Sequence, residues 1–319
     1  MRARFSKMQG AGNDFVVFDA VRQSIPLARV DWRRLADRHF GIGADQILVV
    51  EPPEEAAHDF RFRIFNADGE EVEQCGNGAR CFVRFVHEQG LSAKTRLLVE
   101  TRAGVIAPEL AEGGEVVVDM GPPRFDMQGE GFVAAHALAP HALASRGRVR
   151  SLELALPVPV AFTAALPSDP GPDCAAPTAP SARARESVVL DLLSMGNPHA
   201  VLWLAHPAED ALVESLGPVL SLHPAFAQGS NIGFACLDRA RAVLHLRVFE
   251  RGAGETLACG SGACAAAVLA IEHALTGSPL QVQARGGKLC IDWPGGDAHV
   301  RMQGPAETVF GGEIELPLR

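Results

Sequence analysis

Residues 65–85 read FNADGEEVEQCGNGARCFVRF, and residues 249–268 read FERGAGETLACGSGACAAAV. In each stretch a Phe stands ten positions before a Cys, a Cys-Gly-x-Gly turn follows, and an apolar run begins. The likeness extends upstream. QGAGNDFVVF from Gln9 matches LSMGNPHAVLW from Leu193, and FGIGADQILVVE from Phe40 matches FAQGSNIGFACLD from Phe226. Asn13 and Asn197, Asn66 and Glu250, and Cys75 and Cys259 are each 184 positions apart; Gln46 and Asn231 are 185 apart. Chance rarely preserves four registers over such a span, and a repeat of this length means a duplicated domain rather than a solenoid.

The patterning around these strings predicts an α+β fold of α/β type. β-Branched or alternating runs predict strands over Phe60–Asn66, Leu97–Thr101, Val116–Asp119, Val188–Leu192, Ala200–Leu204 and Ala242–Glu250. Helices are predicted over Gly78–Gln89 and Gly262–Ala274, directly after the two Cys-Gly-x-Gly turns, with a shorter one over Asp31–His39. The expected architecture is two pseudo-twofold-related domains, each a curved, mostly antiparallel sheet around a central helix. The first spans residues 1–120, completed by 306–319; the second spans 121–305. A Pro/Ala-rich segment at about 165–185, which contains Cys174, reads as an exposed insertion.

The chain has 319 residues, 47% hydrophobic and 21% charged, with 32 Gly and a formal net charge of −9. This profile belongs to a globular protein large enough for two cores. An acidic chain is a poor polyanion ligand, so no nucleic-acid partner is expected. The N-terminus lacks an apolar signal core, and the apolar run Ala263–Ile271 is too short to span a bilayer. A cytoplasmic protein is expected, with no membrane partner. Seven cysteines in a large chain, without a CxxC pair or zinc spacing, read as reduced thiols and not as a disulfide framework or a metal site.

Cys75 and Cys259 each stand immediately before a helix start. The unpaired N–H groups of a helix N-terminus carry partial positive charge, which favours a thiolate and cradles a carboxylate. Gly76, Gly78, Gly260 and Gly262 let backbone approach an anion closely. One such cysteine alone reads as a small core residue. Two at the same register of a duplicated unit suit inversion of a stereocentre: one thiolate removes a Cα proton from one face while the other thiol delivers a proton to the opposite face. Cys81 and Cys264, further along each helix, read as packing. A pyridoxal phosphate route needs a Schiff-base lysine, but Lys7, Lys94 and Lys288 are the only lysines, and none is expected near the repeated motifs. No cofactor and no metal are expected.

These strings resemble the diaminopimelate epimerase family. GAGNDF at Gly10, GIGADQ at Gly41, FNADG at Phe65, QCGNGARCF at Gln74, MGNPH at Met195, GSNIGF at Gly229, VFERGAGET at Val248 and ACGSGACA at Ala258 follow that family's order through both halves. The resemblance implies a homodimeric, cofactor-independent epimerase that interconverts LL- and meso-diaminopimelate, with Cys75 and Cys259 as the proton-transfer pair. It implies that Gly76, Asn77, Gly260 and Ser261 hold the reacting carboxylate. It places further substrate contacts at Asn13, Gln46, Asn66, Asn197, Asn231, Glu250 and Arg251, with His199 and Glu250 tuning protonation. The types suit a substrate that is an amino acid at both ends: Arg251 can pair bidentately with a distal carboxylate, and neutral amides can recognise a zwitterion. Taken singly, the Asn residues could shape turns, Glu250–Arg251 could be a surface pair, and His199 could be structural. Alternatives are a proline- or hydroxyproline-type racemase and a thiol redox or ligand-binding protein without turnover. His87 and His273 read as surface.

Overall fold

The structure, a computed structural model, describes residues 1–73, 75–126, 143–162, 164 and 183–319. Most of the Pro/Ala-rich segment, including Cys174, lies outside the described residues. The chain divides into two compact units, Met1–Asp119 with Gln303–Arg319, and Met120–Met302.

The sheet of the first unit runs in the order Glu307–Glu315, Arg2–Gly10, Asn13–Asp19, Gln46–Glu51, Phe60–Asn66, Val99–Thr101, Gly104–Ile106. From Arg2–Gly10 onward, neighbours pair antiparallel, parallel, antiparallel, parallel, antiparallel. In the second unit, Arg183–Ser194, Pro198–Trp203, Asn231–Asp238, Val243–Glu250, Leu280–Ala284 and Gly287–Asp292 pair in the same succession of senses. The repeat holds to the residue across the parallel pairs. Phe15 faces Gln46 in the first unit, and His199 faces Asn231 in the second. The duplication seen in the letters is therefore a duplication of strand register.

Four α-helices accompany the sheets among the described residues: α1 (Trp32–Ala36), α2 (Gly76–Glu88), α3 (Asp210–Ser221) and α4 (Gly260–Glu272). Helix α2 buries Ala79, Cys81, Phe82, Val83, Phe85 and Val86 and leaves Glu88 exposed, the amphipathic arrangement of a helix with one solvent face. Helix α4 is buried from Ala263 through Ala270, so it is enclosed by its own unit rather than laid upon it. Its small alanine side chains let strands approach from several directions. Cys81 and Cys264 are fully buried in these helices, as packing residues are.

The helix boundaries correct the expectation at three points. Helices α2 and α4 begin two residues early, at Gly76 and Gly260, which makes the cysteines themselves the N-caps. The cysteine backbones are extended, yet the carbonyls of Cys75 and Cys259 already accept from Ala79 and Ala263 at 2.8 and 2.9 Å. Helix α1 is shorter than expected. It starts at an Asp31 N-cap and stops at Asp37, whose carboxylate turns back onto the N–H groups of His39 and Phe40 at 2.7 and 2.8 Å.

His273 is also corrected. It caps the C-terminus of α4 and is buried, because the helix it ends is buried on every side. Its Nε2 lies 2.7 Å from Asp191 Oδ2, which also accepts from Trp203 Nε1 at 2.7 Å, while Ser151 Oγ donates to Asp191 Oδ1 at 2.5 Å. Removing the carboxylate leaves buried donors without an acceptor. Asp191→Ala is therefore expected to lose about 3–5 kcal/mol of unfolding free energy. Urea denaturation checks this, and a loss within about 1 kcal/mol would rule it out.

Cys75, Cys81, Cys259, Cys264 and Cys290 are thiols. Cys236 is disulfide-bonded, so the expectation of reduced thiols fails at that residue. Among the described residues no helix is long and apolar enough to cross a membrane.

Candidate active site

The first unit carries a cluster of the candidate residues at the start of α2. Cys75 Sγ accepts from Gly78 N at 3.3 Å, so the thiol takes the place of a capping oxygen and faces the open N–H groups of the first turn. Gly78 is close-packed. A Cβ there would sit 3.5 Å from Cys75 Sγ and 3.3 Å from Leu48 Cδ2. Asn77, buried in the first turn, donates its side-chain amide to Asn13 Oδ1 at 3.2 Å, and Asn13 Nδ2 donates to Asp45 Oδ2 at 2.7 Å.

Gln46 and Asn66 face each other on adjacent strands, with Gln46 Nε2 donating to Asn66 Oδ1 at 2.8 Å. Gln46 Oε1 is buried and has no hydrogen-bond partner among the described residues. A buried polar atom of this kind is costly unless something outside the protein satisfies it. Gln46 is thus part of an arrangement suited to an incoming donor such as an ammonium group.

Beneath Asn13 lies an ion cluster. Arg38 donates to Asp14 Oδ1 and Oδ2 at 2.7 and 3.0 Å and to Asp45 Oδ1 at 2.8 Å. Lys7 Nζ lies 2.5 Å from Asp14 Oδ2 and also donates to the Gly43 carbonyl. Burial alone would raise the Asp14 carboxyl, but the hydrogen bonds from Arg38, Lys7 and the Asp45 backbone outweigh it and hold Asp14 far below the usual carboxylate range. Lys7 therefore does sit beside the repeated motifs, contrary to expectation. Its ammonium is committed to an ion pair, because the pleat turns it inward against Asp14.

The second unit carries an equivalent cluster at the start of α4. Cys259 is buried, and its Sγ lies 3.6 Å from Ser261 Oγ. Asn197 Nδ2 donates to Ser261 Oγ at 3.3 Å, and Asn197 Oδ1 faces His199 Nε2 at 3.0 Å. Thr256 Oγ1 donates to Glu250 Oε1 at 2.5 Å. Asn231 Oδ1 accepts from Arg251 N at 3.0 Å, and the Arg251 guanidinium donates to the Gln228 carbonyl at 3.1 Å. Cys259, Ser261, Asn197, His199 and Glu250 thus form one hydrogen-bonded neighbourhood, with Asn231 and Arg251 forming a second, smaller pair.

The electrostatics at Cys259 reverse the expectation of an acidified thiol. Burial raises its pKa well above the ordinary value. The Glu250 carboxylate beside it adds to the rise, and the Ser261 hydroxyl and Gly262 N–H offset only part of it. The helix end is present, but desolvation and a neighbouring negative charge win. Burial and the neighbouring Glu250 carboxylate both favour the protonated form of the Cys259 thiol. His199 moves the other way: burial, and secondarily the Arg251 charge, bring its pKa down to about 3. A neutral imidazole at Asn197 orients an amide rather than supplying charge.

The family model for diaminopimelate epimerase matches residues 5–126 and 192–309. A diaminopimelate epimerase of Aromatoleum aromaticum is 49% identical over 99% of this chain and 100% of its own length. One of Azoarcus sp. (strain BH72) is 48% identical over the same shares. The chain belongs to the diaminopimelate epimerase family. It is an isomerase of that family, with the two-domain α+β fold read from the sequence. Solved structures related in fold include a PhzF-family phenazine biosynthesis protein of Bacillus anthracis, with a TM-score of 0.62 and 17% identity over 99% of this chain and 100% of that one. A hydroxyproline epimerase of Agrobacterium vitis superposes with a TM-score of 0.58 and 14% identity over 98% of this chain and 92% of that one.

Within this diaminopimelate epimerase family member, Asp14, Arg38, Asp45 and Thr256 join the candidate residues unannounced by the motifs, and Lys7, considered only as a Schiff-base lysine, joins them as an ion-pair partner. Asp14 and Asp45 stand inside the quoted GAGNDF and GIGADQ strings, and Thr256 closes VFERGAGET. The signal was on the line: a carboxylate next to an amide within a Gly-rich turn. Its partners, Lys7 and Arg38, come from outside the repeat and are not paired by spacing.

Proposed function

We propose that the enzyme interconverts LL- and meso-2,6-diaminopimelate by cofactor-independent proton transfer at Cα between Cys75 and Cys259. The observation that carries this reading is that both cysteines cap the N-termini of equivalent helices in two units of equal strand register. In the proposed reaction one cysteine, as thiolate, takes the Cα proton and becomes a thiol. The other gives its proton to the opposite face of the same carbon and becomes a thiolate. The negative charge that develops on the carboxylate is stabilised by the N–H groups of Gly76 and Asn77 and of Gly260 and Ser261, which point along their helix axes. Asn13, Gln46, Asn66, Asn197, Asn231 and Arg251 are proposed to hold the two ends of the substrate, with Arg251 on the distal carboxylate. Glu250 is proposed to exchange the Cys259 proton. His199 acts by orienting Asn197.

The same reading puts the enzyme in the cytoplasm as a homodimer, supplying precursors for lysine and peptidoglycan. Incubation of reduced protein with LL-diaminopimelate in deuterated water, without added cofactor, tests the activity. The expected result is formation of the meso isomer carrying deuterium at Cα. Racemisation of proline or hydroxyproline with no turnover of LL-diaminopimelate would instead identify a proline-type enzyme, and absence of any Cα exchange would end the proton-transfer reading.

A further inference from the structure

The half-site around Cys75 ends in a carboxylate that touches neither the thiol nor the first turn of α2. We infer that Asp45 is a positioning residue for the Cys75 half-site: held by Arg38, it locks the amide orientation of Asn13 and thereby that of Asn77. The inference rests on the proposed epimerase reading and adds to it.

The argument is one of donor and acceptor polarity. A carboxylate has only acceptor lone pairs to offer. With Asp45 Oδ2 2.7 Å from the Asn13 amide, Asn13 must turn its NH2 toward Asp45. Its Oδ1 then points away, where it accepts from Asn77 Nδ2 at 3.2 Å. Asp45 cannot rotate to relax this. Its Oδ1 takes Arg38 Nη2 at 2.8 Å, its Oδ2 also accepts Asp14 N at 3.1 Å, and its own N–H donates to Asp14 Oδ1 at 2.9 Å. Arg38 is anchored at the same time on both oxygens of Asp14, which Lys7 holds from the other side. The chain of orientation runs from Lys7 and Arg38 through Asp14 and Asp45 to Asn13 and Asn77. Asn77 lies two residues beyond the cysteine whose Sγ takes the Gly78 N–H.

The repeat sharpens the point. Asn197 stands where Asn13 stands and Ser261 where Asn77 stands, yet the bond runs the other way. Asn197 Nδ2 donates to Ser261, and the far end of the amide meets His199 instead of a carboxylate. A neutral imidazole can present a donor or an acceptor, so His199 orients Asn197 only through its tautomer and not as an acceptor-only carboxylate does. The lock is specific to the Cys75 side.

Asp45→Asn removes the acceptor-only group at nearly constant volume. It is expected to lower kcat/KM for LL-diaminopimelate by about 10- to 100-fold, the size of effect that a small misplacement of reacting groups produces. The distinguishing readout is alkylation of each cysteine by iodoacetamide, followed peptide by peptide as a function of pH. The Cys75 profile should shift to higher pH as the first turn of α2 loosens around its thiolate, and the Cys259 profile should stay in place. Arg38→Gln alters a half-exposed side chain and serves as the second variant should Asp45→Asn fail to fold; it should move the Cys75 profile the same way by a smaller amount. An unchanged Cys75 profile in a folded variant, or equal shifts at both cysteines, would overturn the inference. The alkylation arm needs no turnover, so a protein inactive on diaminopimelate refutes the proposed function and leaves this test standing.

Discussion

Cys75→Ala and Cys259→Ala are each expected to lower epimerisation of LL-diaminopimelate by about 10³-fold or more, the upper part of the range for a positioned acid or base. Inversion needs a group on each face of the carbon, and one thiol cannot serve both. The two variants should differ in stability, however. Cys75 Sγ caps α2 by accepting from Gly78 N at 3.3 Å, whereas the approach of Cys259 Sγ to the Gly262 N–H falls short of a full capping hydrogen bond. Cys75→Ala should therefore cost about 1 kcal/mol that Cys75→Ser restores, since serine is a favoured N-cap. Serine is also a far weaker acid than a thiol, so Cys75→Ser should stay as defective as the alanine variant. Stability and turnover then separate: thermal melting ranks Ser above Ala, while the rate stays low in both. Each single variant keeps one thiol and should still exchange the Cα proton of whichever isomer presents it to the surviving sulfur. Near-normal epimerisation by any of these variants would exclude a two-thiol mechanism.

Much of the fold was legible because the duplication keeps register. Phe60–Asn66 and Val116–Asp119 are strands as predicted, and the alternation that marks them is the alternation of buried and exposed faces. The expected helix starts fall two residues late because the Cys-Gly-x-Gly strings read as turns ahead of the helices, whereas they are the first turns themselves. At the first turn, where N–H groups have no partner in any case, glycine does little harm and lets an anion approach. Burial was harder to read. His273 follows an alanine-rich helix, and only its enclosure on all sides shows that the polar residue capping it is inside as well. The site residues named from the motifs fall into several small hydrogen-bonded groups within each unit, but the Lys7–Asp14–Arg38–Asp45 cluster joins segments that no periodicity relates. Ion pairs between distant segments are set by tertiary packing and leave no local mark. The direction of the Cys259 shift was missed for a similar reason: the helix dipole is visible in sequence, whereas desolvation and the approach of Glu250 are properties of the folded unit.

Glu250→Gln is expected to lower epimerisation by about 10²- to 10³-fold and, at the same time, to make Cys259 react faster with iodoacetamide near neutral pH. The two effects have opposite signs for one reason. The Glu250 charge stands beside a buried thiol and helps to hold its proton on. A neutral amide of the same shape lifts that repulsion, so the thiol pKa falls and more thiolate is present at a given pH. The amide cannot accept the proton, however, and Cys259 must shed one each time it acts as base. A variant that merely disturbed the fold would lose activity and gain no thiolate, or would expose both cysteines together. Thr256 Oγ1, 2.5 Å from Glu250 Oε1, can still donate to the amide oxygen in the variant, so the side chain should keep its place. Unchanged turnover, or a Cys259 alkylation profile that moves to higher pH, would remove Glu250 from the proton path and leave it a structural neighbour of the thiol.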